Sequence, residues 1–177
     1  MSLRKVEYGT PTDKCGITIH LGIQKGFFED EGLDLTIRTV FGGPQIAEAY
    51  DNGDLEIGEM GSPPAINAIA AGRAFKIVGS GARRKAHMFF AVRKGIKSYA
   101  ELKGKRIGML GIGSCPDWIM QKILRKEGVD PQLVEFVPLL SEYPRVVDII
   151  VEGRIDACLA QEPNISIGQH RGILDYW

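Results

Sequence analysis

Leu55-Glu56-Ile57-Gly58-Glu59-Met60-Gly61-Ser62-Pro63-Pro64 and Arg106-Ile107-Gly108-Met109-Leu110-Gly111-Ile112-Gly113-Ser114 share one anatomy. Each runs from a short apolar strand through a Gly/Ser loop into a helix, over residues 65–71 in the first case and 115–126 in the second. A helix start exposes unpaired backbone N–H groups and the positive end of the helix dipole, so it is a ready anion site. Two such starts, about fifty residues apart, point to a small anionic or polar ligand gripped from two sides.

Outward from these stretches, strand and helix keep alternating. Residues 5–8 read as a strand and 15–25 as a helix ending near Gly26. In 34–40, Leu35 and Ile37 alternate with Thr36 and Arg38, a strand signature. Gly42-Gly43-Pro44 breaks the chain before a short helix over 45–52. Residues 55–60 read as a strand and 64–71 as a helix, and the runs 75–80 and 88–93 as further strands. The pattern then restarts, with a helical turn over 98–102 and strands over 106–110, 133–138 and 156–160. Helices over 114–126 and 143–152 are closed by Gly128 and Gly153. Such alternation predicts an α/β fold with largely parallel strands, whose crossovers must be helical. The polar stretch Val92-Arg93-Lys94-Gly95-Ile96-Lys97 sets the expected boundary: a first lobe over 1–93, a hinge over 94–97 and a second lobe over 98–177.

Twenty-two basic residues balance twenty-two acidic ones in the 177-residue chain. That balance gives no electrostatic footprint for nucleic acid and no polybasic membrane patch. No apolar run approaches the roughly 20 residues that a membrane span needs. Residues 1–8 lack the apolar core of a signal peptide, and Met1-Ser2-Leu3 reads as a leader in place of a removed signal. Cys15, Cys115 and Cys158 form no C-x-x-C pair and have no His at metal spacing. Cys15 and Cys158 read as small buried hydrophobes. Cys115 sits at a helix start, where a thiol pKa can fall, but has no evident His partner. His20, His87 and His170 build no triad or zinc motif. No metal, cofactor or catalytic set is therefore expected.

Three segments bear a family resemblance. Gly26-Phe27-Phe28-Glu29-Asp30-Glu31-Gly32-Leu33-Asp34-Leu35 is similar to the "GFF-x-x-EGLDV" segment of two-lobed solute-binding proteins. Asn52-Gly53-Asp54-Leu55-Glu56-Ile57-Gly58 resembles their "G-x-x-D-hydrophobic-G" element. Ser98-Tyr99-Ala100-Glu101-Leu102-Lys103-Gly104-Lys105-Arg106-Ile107-Gly108 resembles their "DLKGKRIGV" lobe entry. The chain thus resembles ABC-transporter periplasmic substrate-binding proteins of the nitrate/sulfonate/taurine and thiamine-pyrimidine-precursor type. The resemblance implies a type II, two-lobed periplasmic-binding-protein-like α/β fold, C-terminally truncated, since the family's return to the first lobe has no counterpart before Trp177.

Family pockets lie at the C-terminal ends of strands, as is general for open α/β sheets. Carried over by position, this implies Thr10, Pro11 and Thr12 after the first strand, Gly42 and Gly43 after the second, and Gly61 and Ser62 after the third. From the second lobe it implies Gly113, Ser114 and Cys115 at the helix start, and Glu162 at the crossing point. Small residues let backbone approach a ligand closely. The residues themselves add Arg83 and Arg84, basic groups able to pair bidentately with sulfonate or carboxylate. Trp118, one turn from Ser114, is placed either to stack on a planar ligand or to join the core. The function implied is capture of a small anionic or aromatic solute for delivery to a membrane ABC permease, in the periplasm or cell envelope. Two alternatives stay open: a small-acid lyase or decarboxylase using Asp117, Glu162 or His87, and a cytoplasmic ligand-sensing domain.

Overall fold

The computed structural model describes residues 2–12, 14–81 and 88–177. The chain divides into two compact units, Met1–Gly81 and Ala82–Trp177.

The first unit is built on β1 (Arg4–Thr10), with β2 (Leu33–Thr39) and β3 (Ile57–Gly58) hydrogen-bonded parallel to it on either side. Val6 lies opposite Leu35 and Tyr8 opposite Ile37, so the alternation read in 34–40 does set the register. The crossover from β1 to β2 is α1 (Ile17–Gln24) and α2 (Phe27–Asp30), where a single helix was expected. Gly26 at φ 76° is the reason, because it ends the first helix in a left-handed conformation. Between β2 and β3 lies α3 (Gly43–Asp51), and α4 (Ser62–Ala70) follows β3. The core here is Ile46, Ala49 and Leu55, with Val40, Tyr50 and Met60 packed against them.

Two expectations for this unit fail. The strand over 55–60 shrinks to Ile57–Gly58, and 75–80 form no strand. Phe75 packs on Tyr50 with ring centroids 5.2 Å apart, but Ile77 and Val78 are 59% and 87% exposed. An apolar run becomes a strand only where a ladder exists to receive it. Both edges of β1 are already taken, and β3 offers two residues.

The second unit is a five-stranded sheet in the order β6-β5-β7-β4-β8, with β4 (Met88–Arg93), β5 (Arg106–Met109), β6 (Glu135–Pro138), β7 (Ala157–Gln161) and β8 (Leu174–Tyr176). Strand β5 runs parallel to β6 and β7, whereas β4 is antiparallel to β7 and β8. The expected lobe boundary therefore moves: β4 belongs to the second sheet, not to a first lobe ending at residue 93. Its Phe90, Ala91 and Val92 are buried, as befits a strand covered on both faces. Arg93 fastens its end, donating to the carbonyls of Ile150 at 3.1 Å and Ile155 at 2.9 Å and pairing with Asp156 at 3.4 Å.

Helix α5 (Cys115–Lys126) follows β5, and α6 (Val146–Val151) precedes β7. The helix expected over 143–152 begins instead as a 3-10 turn over Leu140–Arg145, which contains Pro144. Helix α7 (Asn164–His170) and β8 were not anticipated. Phe90, Leu102, Ile107, Met120, Leu124 and Leu159 form the core, with Phe136 partly buried against it. Tyr99 stacks on Phe90 at 5.5 Å and meets Trp177 edge-on at 4.7 Å. Cys158 is buried as expected, but Cys15 is only half-buried and engages Thr12 instead of a core.

Candidate functional site

In the first unit, the loops after all three strands gather at the C-terminal edge of the parallel sheet. The Gly42 N–H donates to the Pro11 carbonyl at 3.4 Å, joining the first two loops. Gly43 abuts the start of α4, where a Cβ would fall 2.4 Å from the Pro64 ring; only glycine fits there. Thr10 is fully buried and, among the described residues, its Oγ1 has no hydrogen-bond partner. Thr12 Oγ1 donates to Cys15 Sγ and accepts from the Cys15 N–H, both at 3.2 Å, which pins the turn before α1. Nearby, the Tyr8 hydroxyl is pushed up to about 12, first by burial and then by the Glu59 charge. Gly61 is the cap residue of α4, and Ser62 is exposed. Pro63 and Pro64 have no N–H, so that helix start offers an anion fewer donors than the sequence reading assumed.

In the second unit, Ser114 caps α5 and its Oγ accepts the Asp117 N–H at 3.5 Å. Asp117 Oδ2 in turn accepts the Gly113 N–H at 2.7 Å, and Oδ1 accepts from Gln121 Nε2 at 2.8 Å. This is a reciprocal cap of the capping-box kind, with the acid reaching back beyond the cap residue. The Ser114 N–H is spent on the Gly111 carbonyl at 3.1 Å, and Pro116 has none to give. Cys115 is half-buried and engaged as well. The spacing Ser114-x-x-Asp117 is itself a helix-start signature in the sequence.

Beside this cap stand Ile112, exposed to 74%, and Trp118, exposed to 46%. Trp118 is therefore no core residue; Lys122 Nζ lies over its ring, 4.7 Å from the centroid. Glu162 is exposed and accepts the Ser166 N–H at 3.1 Å in the first turn of α7. Arg83, Arg84 and His87 lie outside the described residues. Among the described residues, no group of three or more His, Cys, Asp or Glu is placed to hold a metal. A groove of about 360 Å³ lined by Lys5, Glu7, Asp34, Thr36, Asp54 and Glu56 lies toward the N-terminal ends of the first unit's strands, away from these loops.

A family model described as NMT1/THI5 like matches residues 17–172. The chain belongs to the NMT1/THI5-like family. A protein of Brucella abortus (strain 2308), named as a candidate binding protein, is 33% identical over 156 residues, which are 86% of this chain and 46% of that protein. A solved structure from Bordetella bronchiseptica superposes with a TM-score of 0.80 at 26% identity, covering 97% of this chain and 55% of its own. The alkanesulfonate-binding protein SsuA from Xanthomonas axonopodis, bound to MOPS, superposes with a TM-score of 0.79 at 23% identity, covering 99% and 60%. The fold is that of type II periplasmic binding proteins. This NMT1/THI5-like chain spans about half the length of the curated relatives it matches.

Within that fold, Thr10, Pro11, Thr12, Gly42, Gly43, Gly61 and Ser62 come together at one sheet edge of the first unit. Gly113, Ser114, Cys115 and Trp118 adjoin one another at the start of α5. Glu162 follows β7, a neighbour of β5 in the same sheet. Asp117, a candidate acid or base in the sequence, is in the structure the partner of Ser114 in the cap of α5.

Proposed function

We propose that this chain is the solute-binding part of an ABC-type import system and captures a small anionic organic solute of sulfonate, carboxylate or pyrimidine-like chemistry. The observation that carries the reading is the gathering of small residues at the C-terminal strand ends of the first unit, around the buried Thr10 Oγ1, which has no partner among the described residues. A hydroxyl in that position gains from a polar ligand that completes its hydrogen bond. The SsuA relative, an alkanesulfonate-binding protein, supports the same solute chemistry. Capture without turnover is favoured over the lyase reading because Asp117 and Glu162 accept helix-start N–H groups. In the working protein, a membrane permease receives the solute and the compartment is the periplasm or cell envelope.

The test is a thermal-shift screen with nitrate, taurine, alkyl- and arylsulfonates, aromatic carboxylates and aminopyrimidines. Saturation at about 100 times Kd stabilises a fold by roughly 2.7 kcal/mol. A selective shift, with the compound recovered unchanged, is the expected result. Consumption of the compound would replace the reading with an enzymatic one, and a flat screen would remove the solute classes named.

A further inference from the structure

Glu59 is half-buried at the edge where the loops of the first unit gather. The sheet fixes its backbone: directly after β3, the Glu59 N–H donates to the Gly9 carbonyl at 2.9 Å, beside the end of β1. Two glycines locate its side chain. A Cβ on the buried Gly16 would fall 2.9 Å from Thr10 Cγ2 and 3.7 Å from Glu59 Oε1, so threonine and carboxylate border the same spot. A Cβ on the exposed Gly81 would fall 3.9 Å from Glu59 Oε2. The carboxylate thus reaches from the buried Thr10 to the surface of the unit, with a residue that lacks a side chain beside each oxygen.

Gly16 is the cap residue of α1, whose first turn holds no acidic residue and whose cap makes no side-chain hydrogen bond. The Glu59 carboxylate therefore lies at the positive end of that helix. Its charge also reaches the Tyr8 hydroxyl, which burial first and Glu59 second push up to about 12. A carboxylate so placed answers the α1 dipole and sets what this edge accepts. A solute bringing only negative charge meets repulsion there, whereas an ammonium or amino nitrogen meets an acceptor. Glu59 is engaged within the chain as well, and a carboxylate, with two oxygens and about four lone-pair sites, takes a further donor besides.

Resting on the solute-binding function proposed above, we propose that Glu59 determines specificity by accepting a hydrogen bond from an ammonium or amino nitrogen of the solute, at the spot bordered by Thr10 and Gly16. The solute class then narrows to compounds that carry an N–H donor beside their anionic or aromatic part. Simple alkyl- and arylsulfonates are disfavoured. A site built around a buried or half-buried acceptor discriminates against an analogue that lacks the donor, because the acceptor is then left unpaired toward the solute.

The experiment is calorimetric titration of the full 177-residue chain with matched pairs, repeated on Glu59→Gln. The pairs are taurine with propanesulfonate, β-alanine with butyrate, and 4-aminopyrimidine with 4-methylpyrimidine; in each, a methyl group replaces the nitrogen at nearly equal size. Expected is a pair whose nitrogen compound binds about tenfold tighter or more, the range of a hydrogen bond to a charged group. Glu59→Gln should weaken that compound about fivefold or more and leave its methyl partner unchanged. Equal affinity within every pair that binds, tighter binding of the methyl compound, or a preference that survives Glu59→Gln overturns the inference and leaves the solute-binding function standing. A loss shared equally by both members also overturns it, because Glu59 would then serve only the start of α1. Circular dichroism shows whether Glu59→Gln is folded; if it is not, Glu59→Asp takes its place, and its shorter side chain should weaken the nitrogen compound alone. If simple sulfonates bind and none of the nitrogen compounds does, the inference falls and the function stands. If nothing in either panel binds, both fall together.

Discussion

Cys158 shows how far one residue's environment governs its chemistry. The thiol is fully buried on β7, and burial pushes it from its ordinary 9.0 up to about 12. The thiolate is the reactive form, so iodoacetamide at pH 8 should label Cys15 and Cys115 in the native protein and leave Cys158 untouched until denaturant is added. Peptide mass spectrometry checks this, and labelling of native Cys158 at the rate of the other two would contradict it. The same burial makes stability depend on pH. Above pH 9 the unfolded chain gives up the Cys158 proton while the folded chain keeps it, so the unfolded state binds fewer protons and stability falls as pH rises toward about 12. Tyr8, raised from 10.0 to about 12 by burial and the Glu59 charge, adds loss above pH 10. Urea midpoints between pH 8 and 11 should decline, and Cys158→Ala should flatten the part that begins near pH 9. At this scale the sequence was half informative. A free cysteine inside an apolar strand reads as buried, and Cys158 is; Cys15 lies in a turn whose Thr12 partner could be seen only once the chain had folded.

At the scale of elements, the start of α5 stands on two side chains acting on each other's backbone. Ser114→Ala and Asp117→Ala should each lower stability by about 1 kcal/mol, the usual effect of losing a cap. The double variant should lose less than the two added together, since they share one network. Denaturant unfolding of the three variants measures this, and full additivity would mean that the two caps work independently. Strand β3 makes the opposite point, that a strand is specified by its neighbour as much as by its own pattern. A Cβ on Gly58 would fall 2.4 Å from the Gly9 carbonyl oxygen, so Gly58→Ala should separate β3 from β1 and lower stability by about 2 kcal/mol or more. An unchanged melting temperature would show that β3 contributes nothing to the first unit. Most elements were legible because their periodicity and glycine stops are local signals. Residues 75–80 misled for the converse reason: their apolar content is local, but the ladder they would need is not.

For the whole chain, the two units differ most in what they bury. Among the described residues, Leu35, Ile46 and Leu55 are the large buried apolar side chains of the first unit, and the other buried apolar side chains there are alanines and Pro64. The second unit buries Phe90, Leu102, Ile107, Met120, Leu124, Ile149, Ile150, Ile155, Leu159 and Ile165, among others. Sequence periodicity showed two βα series but could not assign Met88–Arg93, because a strand's pattern does not say which sheet it joins. That assignment matters energetically, since it gives β4 and its buried Phe90 and Val92 to the unit that is already richer. The first unit also leaves Ile57, Ile66, Ile69, Ile77 and Val78 exposed. Each large side chain fully buried is worth roughly 1.5–3 kcal/mol, so the first unit's local stability should be several kcal/mol lower. Local opening follows buried apolar contacts. Native-state hydrogen exchange read by mass spectrometry should therefore show amides of β1 and β2 exchanging through openings of lower free energy than those of β5 and β7. Equal protection in both sheets would mean that the chain opens as one cooperative body, and that the first unit draws its stability from something other than its own core.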